Sequence, residues 1–143
     1  MIVGRFDDTG RPQVECRVII RRLGVDERMA FLLDTGADNT YLHLEDAEAL
    51  GVPFEQLVRR TDARGVGGRS SYFRELAFLV FDDNAQRRIY TVELRIAGPD
   101  ESNLTLPSLL GRNVINHWYV QYDPTNFRLD CIVRHADHTL DAT

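Results

Sequence analysis

Between Val14 and Ile20 the apolar residues Val14, Cys16, Val18 and Ile20 alternate with Glu15 and Arg17. A period of two suits an extended strand with one face buried and no other regular element. The pattern recurs along the chain. Met29 to Leu33 forms a second apolar run after the turn-like Leu23-Gly24-Val25-Asp26, and the two are expected to pair as a hairpin. Ala77 to Phe81 and Tyr90 to Ile96 are two further strands, the latter alternating Tyr90, Val92, Leu94 and Ile96, joined through Asp82-Asp83-Asn84. Trp118 to Tyr122 and Arg128 to Val133 make a last hairpin through Asp123-Pro124-Thr125-Asn126. Helical spacing occurs at Leu44, Ala47 and Leu50, and Gly51 with Pro53 stops that short helix. The chain is predicted to be mainly β, a single domain over residues 1–135 with a polar, unpatterned tail over 136–143.

A chain of 143 residues buries roughly 68–70% of the surface its unfolded form exposes, so it needs neither disulfides nor a metal to fold. Cys16 and Cys131 read as reduced core residues. No stretch approaches the roughly 18 apolar residues of a membrane span, and Met1 to Asp8 lacks the apolar core of a secretory signal. The expectation is a cytoplasmic protein without a membrane partner. A net charge of −5 argues against nucleic acid as a partner, because phosphate binding wants a concentrated positive face. All 17 basic residues are arginine, which excludes a lysine Schiff base, a lysine nucleophile and a phosphate-loop lysine. The pairs Arg21-Arg22, Arg59-Arg60 and Arg87-Arg88 read as solvated strand ends.

Three segments carry candidate chemistry. Phe31-Leu32-Leu33-Asp34-Thr35-Gly36-Ala37-Asp38-Asn39-Thr40 sets a carboxylate directly after an apolar strand, then a small hydroxyl residue and a glycine that lets the backbone turn sharply. Such an acid sits at a strand end, held by local amides. The bland alternative is a strand-to-turn junction. Arg64-Gly65-Val66-Gly67-Gly68-Arg69 is a glycine-rich loop able to form a hairpin tip that closes over a ligand, or simply a flexible loop. A phosphate-binding loop is disfavoured there, since no Gly-Lys-Ser/Thr follows. Leu109-Leu110-Gly111-Arg112-Asn113-Val114-Ile115 is an apolar strand ending in glycine, then an arginine and a helix start. A second triplet, Asp8-Thr9-Gly10, lies ahead of any apolar strand and reads as a turn.

In this order and combination the three segments resemble the retropepsin family, the proteases of retroviruses and their cellular and bacterial relatives. The resemblance runs from about Val14 to Val133. It implies a closed or partly closed β-barrel with one or two short helices, and a homodimeric aspartic endopeptidase acting on peptide or protein substrates. Position by position, it implies that Asp34 is the catalytic aspartate, that Thr35 bonds across the dimer beneath the dyad, and that Gly36 approaches the substrate backbone. Asp38 would orient the peptide and pair with Arg112. Ala37 and the flap residues Gly65, Val66 and Gly67 would meet the substrate, with Val66 at the tip. Pro107 and Leu109 would line a side-chain pocket. The helix after the aspartate lengthens the path to the flap, and Arg11-Pro12 resembles a viral arginine that reaches across the dimer, at a longer spacing from Asp34.

One carboxylate cannot both activate water and protonate a leaving nitrogen, so a chain with one such triplet must dimerise to work. Two facing Asp34 side chains share one proton and titrate as a unit. The deprotonated member activates water and the protonated member supports the oxyanion, with no metal or cofactor. Pepsins resemble one another in carrying a hydroxyl residue where Ala37 follows Gly36 here, so activity is expected at mildly acidic to neutral pH. Three competing readings stand beside this one: a catalytically silent module of the same fold that dimerises and binds peptides, a metal protein using Cys131, His135 and His138, and an unrelated β-barrel. The metal set is irregularly spaced, and a solvated tail is preferred. His43 and His117 read as surface or helix-end residues.

Overall fold

The computed structural model of the chain describes residues 1–65, 68–99 and 105–142. Along the chain run β1 (Ile2–Val3), β2 (Arg5–Phe6), β3 (Pro12–Ile20), β4 (Val25–Leu33), β5 (Tyr41–Leu42), α1 (Leu44–Ala49), β6 (Arg60–Gly65) and β7 (Gly68–Asp83). They are followed by β8 (Gln86–Ala97), β9 (Leu109–Leu110), α2 (Arg112–Ile115), β10 (Trp118–Asp123), β11 (Arg128–Val133) and β12 (His138–Asp141). The fold is mainly β, as the alternation implies.

The period-two residues of β3 do what their spacing demands. Val14, Cys16, Val18 and Ile20 are all buried, whereas Glu15 and Arg17 between them are exposed. Strands β3 and β4 form the expected hairpin, with Val14 opposite Phe31 and Ile20 opposite Val25. Gly24, at φ 68°, makes the reversal in the left-handed region that favours glycine. The β7–β8 hairpin turns at Asn84, φ 56°, a residue whose short side chain tolerates that conformation.

Nine strands join in the order β12-β8-β5-β9-β4-β3-β7-β6, with β2 attached to β3, and β7 also pairs with β8. That extra pairing curls the sheet into a partly closed ring. A separate three-stranded sheet, β1-β11-β10, packs beside it. Phe31, Phe81, Tyr90, Leu79, Leu94, Leu110 and Leu129 are fully buried in the core that both sheets share, and each large apolar side chain removed from water contributes about 1.5–3 kcal/mol. Cys16 and Cys131 are buried and unbridged, as expected of core thiols. Burial pushes both thiols up, Cys131 to about 12, which disfavours the reactive thiolate. No helix among the described residues is long and apolar enough to cross a membrane.

Some local features differ from expectation. The polar segment after His135 contains β12, antiparallel to β8 from His138↔Ile89 to Asp141↔Gln86. Its four residues are all exposed; backbone pairing to an edge, not an apolar face, makes this strand. Arg22 is more than a solvated strand end. Its guanidinium pairs with Glu75, a carboxylate only 4% exposed, and donates to the Gln56 carbonyl at 2.6 Å. Arg88 likewise holds the buried Asp83 at 2.7 Å. Buried carboxylates require such partners.

Candidate active site

Strand β4 is the element that delivers Asp34. Its last residues pair in parallel with β9, Leu32 with Leu109 and Leu33 with Leu110. The Asp34 N–H then donates to the Leu110 carbonyl at 3.0 Å. The acid is therefore fixed by a segment more than seventy residues away in sequence, at the end of a strand whose Phe31 is fully buried. Asp34 itself is half-buried.

Beyond Asp34 the chain turns at once. The Gly36 N–H donates to Asp34 Oδ1 at 2.8 Å, and the Ala37 N–H donates to the Asp34 carbonyl at 3.2 Å. A methyl group on Gly36 would stand 3.2 Å from that same carboxylate oxygen, so glycine leaves the acid unobstructed. Ala37 is buried, and Thr35 and Asp38 are exposed.

The segment after β9 braces this turn from behind. The Arg112 N–H donates to the Ala37 carbonyl at 2.8 Å, and the Arg112 guanidinium donates to the Thr35 carbonyl at 2.7 Å and pairs closely with the Asp38 carboxylate. Arginine suits this place because its rigid fork addresses a carbonyl and a carboxylate together. Gly111 permits the approach: a Cβ there would lie 2.0 Å from the Asn39 carbonyl oxygen and 2.8 Å from that of Ala37. The buried Thr40 hydroxyl accepts from the Gly111 N–H at 3.3 Å and donates to Asn113 Oδ1 at 2.9 Å.

The other expected site residues lie as follows. Strands β6 and β7 form an antiparallel hairpin paired down to Gly65 and Gly68. Val66 and Gly67 lie outside the described residues. Pro107 lines a cavity of about 500 Å³ together with Gln13, Met29, Ala30, Leu32 and Leu106. Leu109 is not among its lining residues and stands beside Leu32 in the parallel pair. Asp8-Thr9-Gly10 is an exposed turn between β2 and β3. Cys131 is buried in the core, and no group of three or more His, Cys, Asp or Glu among the described residues is placed to hold a metal ion.

The Asp34 carboxylate thus stands at the end of a strand anchored by buried Phe31, in a glycine turn held by a distant Gly-Arg-Asn segment. A family model described as aspartyl protease matches residues 21–113. The chain belongs to the aspartyl protease family. Among solved structures, this aspartyl protease relative matches a retropepsin-like aspartic protease from Rickettsia conorii with TM-score 0.52 and 16% identity, over 90% of this chain and 86% of that one. It also matches the EIAV protease in complex with the inhibitor HBY-793, with TM-score 0.45 and 22% identity, over 78% of this chain and 90% of that one. The fold is retropepsin-like. No curated protein matches the sequence.

One buried polar residue near the cavity departs from the expectation drawn from the sequence. His43 does precede α1, but it is buried, 3% exposed, instead of on the surface. Its Nδ1 lies 2.5 Å from the Pro107 carbonyl and its Nε2 2.8 Å from the Tyr72 hydroxyl, while its N–H donates to Ser108 Oγ at 2.9 Å. Ser108 Oγ in turn donates to Asp46 Oδ2 at 2.6 Å. Burial holds the imidazole below the ordinary histidine value, against the Pro107 carbonyl and the Asp46 charge, which raise it. A neutral ring with its proton on Nδ1 fits both contacts, donating to Pro107 and accepting from Tyr72. The network ties the wall of the cavity to β7. Its members come from three separate segments, so no local pattern announces it.

Proposed function

We propose that the protein is an aspartic endopeptidase that works as a homodimer, with Asp34 of each subunit supplying one carboxylate of a shared dyad. The observation that carries this reading is the setting of Asp34: a turn fixed by the Leu110 carbonyl, with Oδ1 held by the Gly36 amide. Membership of the aspartyl protease family supports it. Each subunit provides one acid, and the chemistry needs two groups in opposite protonation states. The ionised member takes a proton from water, the water attacks the peptide carbonyl, and the protonated member donates to the developing oxyanion. Collapse of the tetrahedral species passes a proton to the leaving nitrogen and breaks the C–N bond.

In this reading Thr35 bonds across the twofold axis beneath the dyad, Gly36 and Ala37 border the substrate backbone, and Asp38, held by Arg112, orients it. The β6–β7 hairpin, through Gly65, Val66 and Gly67, acts as the flap that excludes water. Pro107 lines a side-chain pocket, and Leu109, paired with Leu32 on the adjoining strand, supports its wall. The partners are a second copy of the chain and a peptide or protein substrate, not nucleic acid or membrane, and no cofactor takes part. Two buried, unbridged thiols support a reducing compartment such as the cytoplasm.

The test is cleavage of a denatured protein mixture by the purified chain and by Asp34→Asn, each over a range of protein concentrations. Cleavage that disappears in the variant and rises more steeply than concentration in the parent supports the reading. Cleavage unchanged by Asp34→Asn ends it, and absence of any cleavage by a dimeric parent leaves the silent peptide-binding module in its place.

A further inference from the structure

One face of the β7–β8 ladder carries a charge cluster that the proposed reaction does not use. Arg74 and Arg95 stand directly opposite each other, and the Arg74 N–H donates to the Arg59 carbonyl at 2.8 Å, which brings Arg59 alongside. Glu93 lies among the three guanidiniums, 3.7 Å from Arg74, 3.9 Å from Arg95 and 4.0 Å from Arg59. Those separations are ion-pair contacts too long for hydrogen bonds. Arg95 also donates from Nη1 to Thr61 Oγ1 at 3.3 Å. The Nε atoms of Arg74 and Arg95 are buried and have no hydrogen-bond partner.

Like charges placed opposite each other in an antiparallel pair repel, and a buried donor without an acceptor is costly to maintain. Among the described residues, three positive charges against one negative leave two uncompensated, on a chain whose net charge is −5. The Nε and Nη protons of a guanidinium form a fork that fits two oxygens of one anion. We infer that Arg59, Arg74 and Arg95 form a binding site for a phosphate-type dianion, as free phosphate or as a phosphorylated side chain. The excess of two charges matches a phosphoryl group, which carries about −1.5 to −2 at pH 7, better than a single carboxylate. Such a group would accept from the Nη groups of Arg59, Arg74 and Arg95 that face Glu93.

Calorimetric titration of the intact protein with sodium phosphate, at ionic strength held constant with sodium chloride, tests the assignment. A second arm uses a phosphoserine peptide and its unphosphorylated counterpart. Saturable binding of phosphate or of the phosphopeptide is expected, and the one that binds at lower concentration identifies the source. Arg74→Gln/Arg95→Gln should weaken that binding at least about tenfold, while Arg21→Gln, on an exposed residue elsewhere, should not change it. Glu93→Gln removes the one negative charge from the cluster and should tighten binding several-fold. Glu93 is 43% exposed in its side chain, so this variant remains a test if the double variant fails to fold. Equal affinity in Glu93→Gln and the parent, no saturable binding, or equal binding of the unphosphorylated peptide would overturn the inference.

Discussion

The triplet Asp-Thr-Gly occurs twice in this chain, and its two copies have opposite fates. At Asp8-Thr9-Gly10 the bonds are local. Asp7 Oδ1 accepts from the Thr9 N–H at 2.9 Å, the Thr9 hydroxyl at 2.7 Å and the Arg11 N–H at 2.9 Å. Gly10 takes φ 84° to close the hairpin, and Asp8 is exposed. At Asp34-Thr35-Gly36 the bonds reach across the fold, to Leu110 from the acid and from Arg112 to the carbonyls of Thr35 and Ala37. Asp34 Oδ1 accepts one amide proton, which leaves most of the roughly four acceptor positions of a carboxylate for other partners. A carboxylate next to a tight turn is cheap to make anywhere. It becomes a candidate for chemistry when a strand anchored in the core aims it and a distant segment stops it moving.

The largest expected difference between the copies is in catalysis. Asp34→Asn should lower peptide cleavage by at least about 100-fold, whereas Asp8→Asn should leave the rate unchanged. Equal effects on initial rates would erase the distinction.

Next comes stability. Gly111→Ala drives a methyl into the Asn39 carbonyl at 2.0 Å and should cost about 3 kcal/mol, the upper part of the overpacking range. Gly10→Ala meets nothing within 4 Å and is opposed by its φ of 84° alone, at about 1–2 kcal/mol. Urea unfolding midpoints order the two, and a reversed order would refute the bracing of Asp34 by Gly111.

The two threonines sharpen the comparison at smaller scale. Thr9→Ala removes an exposed bond to Asp7 and should cost about 0.5 kcal/mol of unfolding free energy. Thr35→Ala should leave the unfolding of the separated subunit within about 0.5 kcal/mol and instead weaken self-association, read by sedimentation equilibrium. Unaltered association in that variant would remove Thr35 from the interface.

Finally, pH separates the scaffolds of the two turns. Burial depresses His43, so the unfolded chain binds that proton more readily than the folded one. Stability should decline as pH falls below about 6.5, the ordinary histidine value, toward the lower folded value. Asp7 is depressed by the Arg11 amide and then by Thr9. Its contribution is complete above the ordinary aspartate value near about 3.9 and is lost as pH falls through the lower folded value. Unfolding midpoints at a series of pH values should lose the upper limb in His43→Gln and the lower limb in Asp7→Asn. A parent midpoint that does not change between neutral pH and pH 5 would contradict the buried neutral histidine.

Much of this was legible in the residues because the deciding patterns were local. The alternation in β3 fixed which face is buried, and a strand ending at Leu33 placed Asp34 at its tip. The pairing of Asp38 with Arg112 was legible only through family resemblance, since seventy-four residues separate them. What stayed hidden depends on contacts with no local signature. Strand β12 is exposed along its whole length and is defined by backbone bonds to β8. His43 is buried by Tyr72, Pro107 and Ser108, none of them near it in sequence. Thr40 and Asn113 lock the turn to α2 through one side-chain bond at 2.9 Å, which no periodicity encodes.

Whether one acid from each of two chains forms a single site can be measured by subunit mixing. Parent and Asp34→Asn subunits are combined in equal amounts, allowed to exchange, and assayed at fixed total protein. A dyad built across a twofold axis leaves about one quarter of the parent activity, because only dimers with two intact acids work. Retention of about one half, the value for subunits that each act alone, would contradict it.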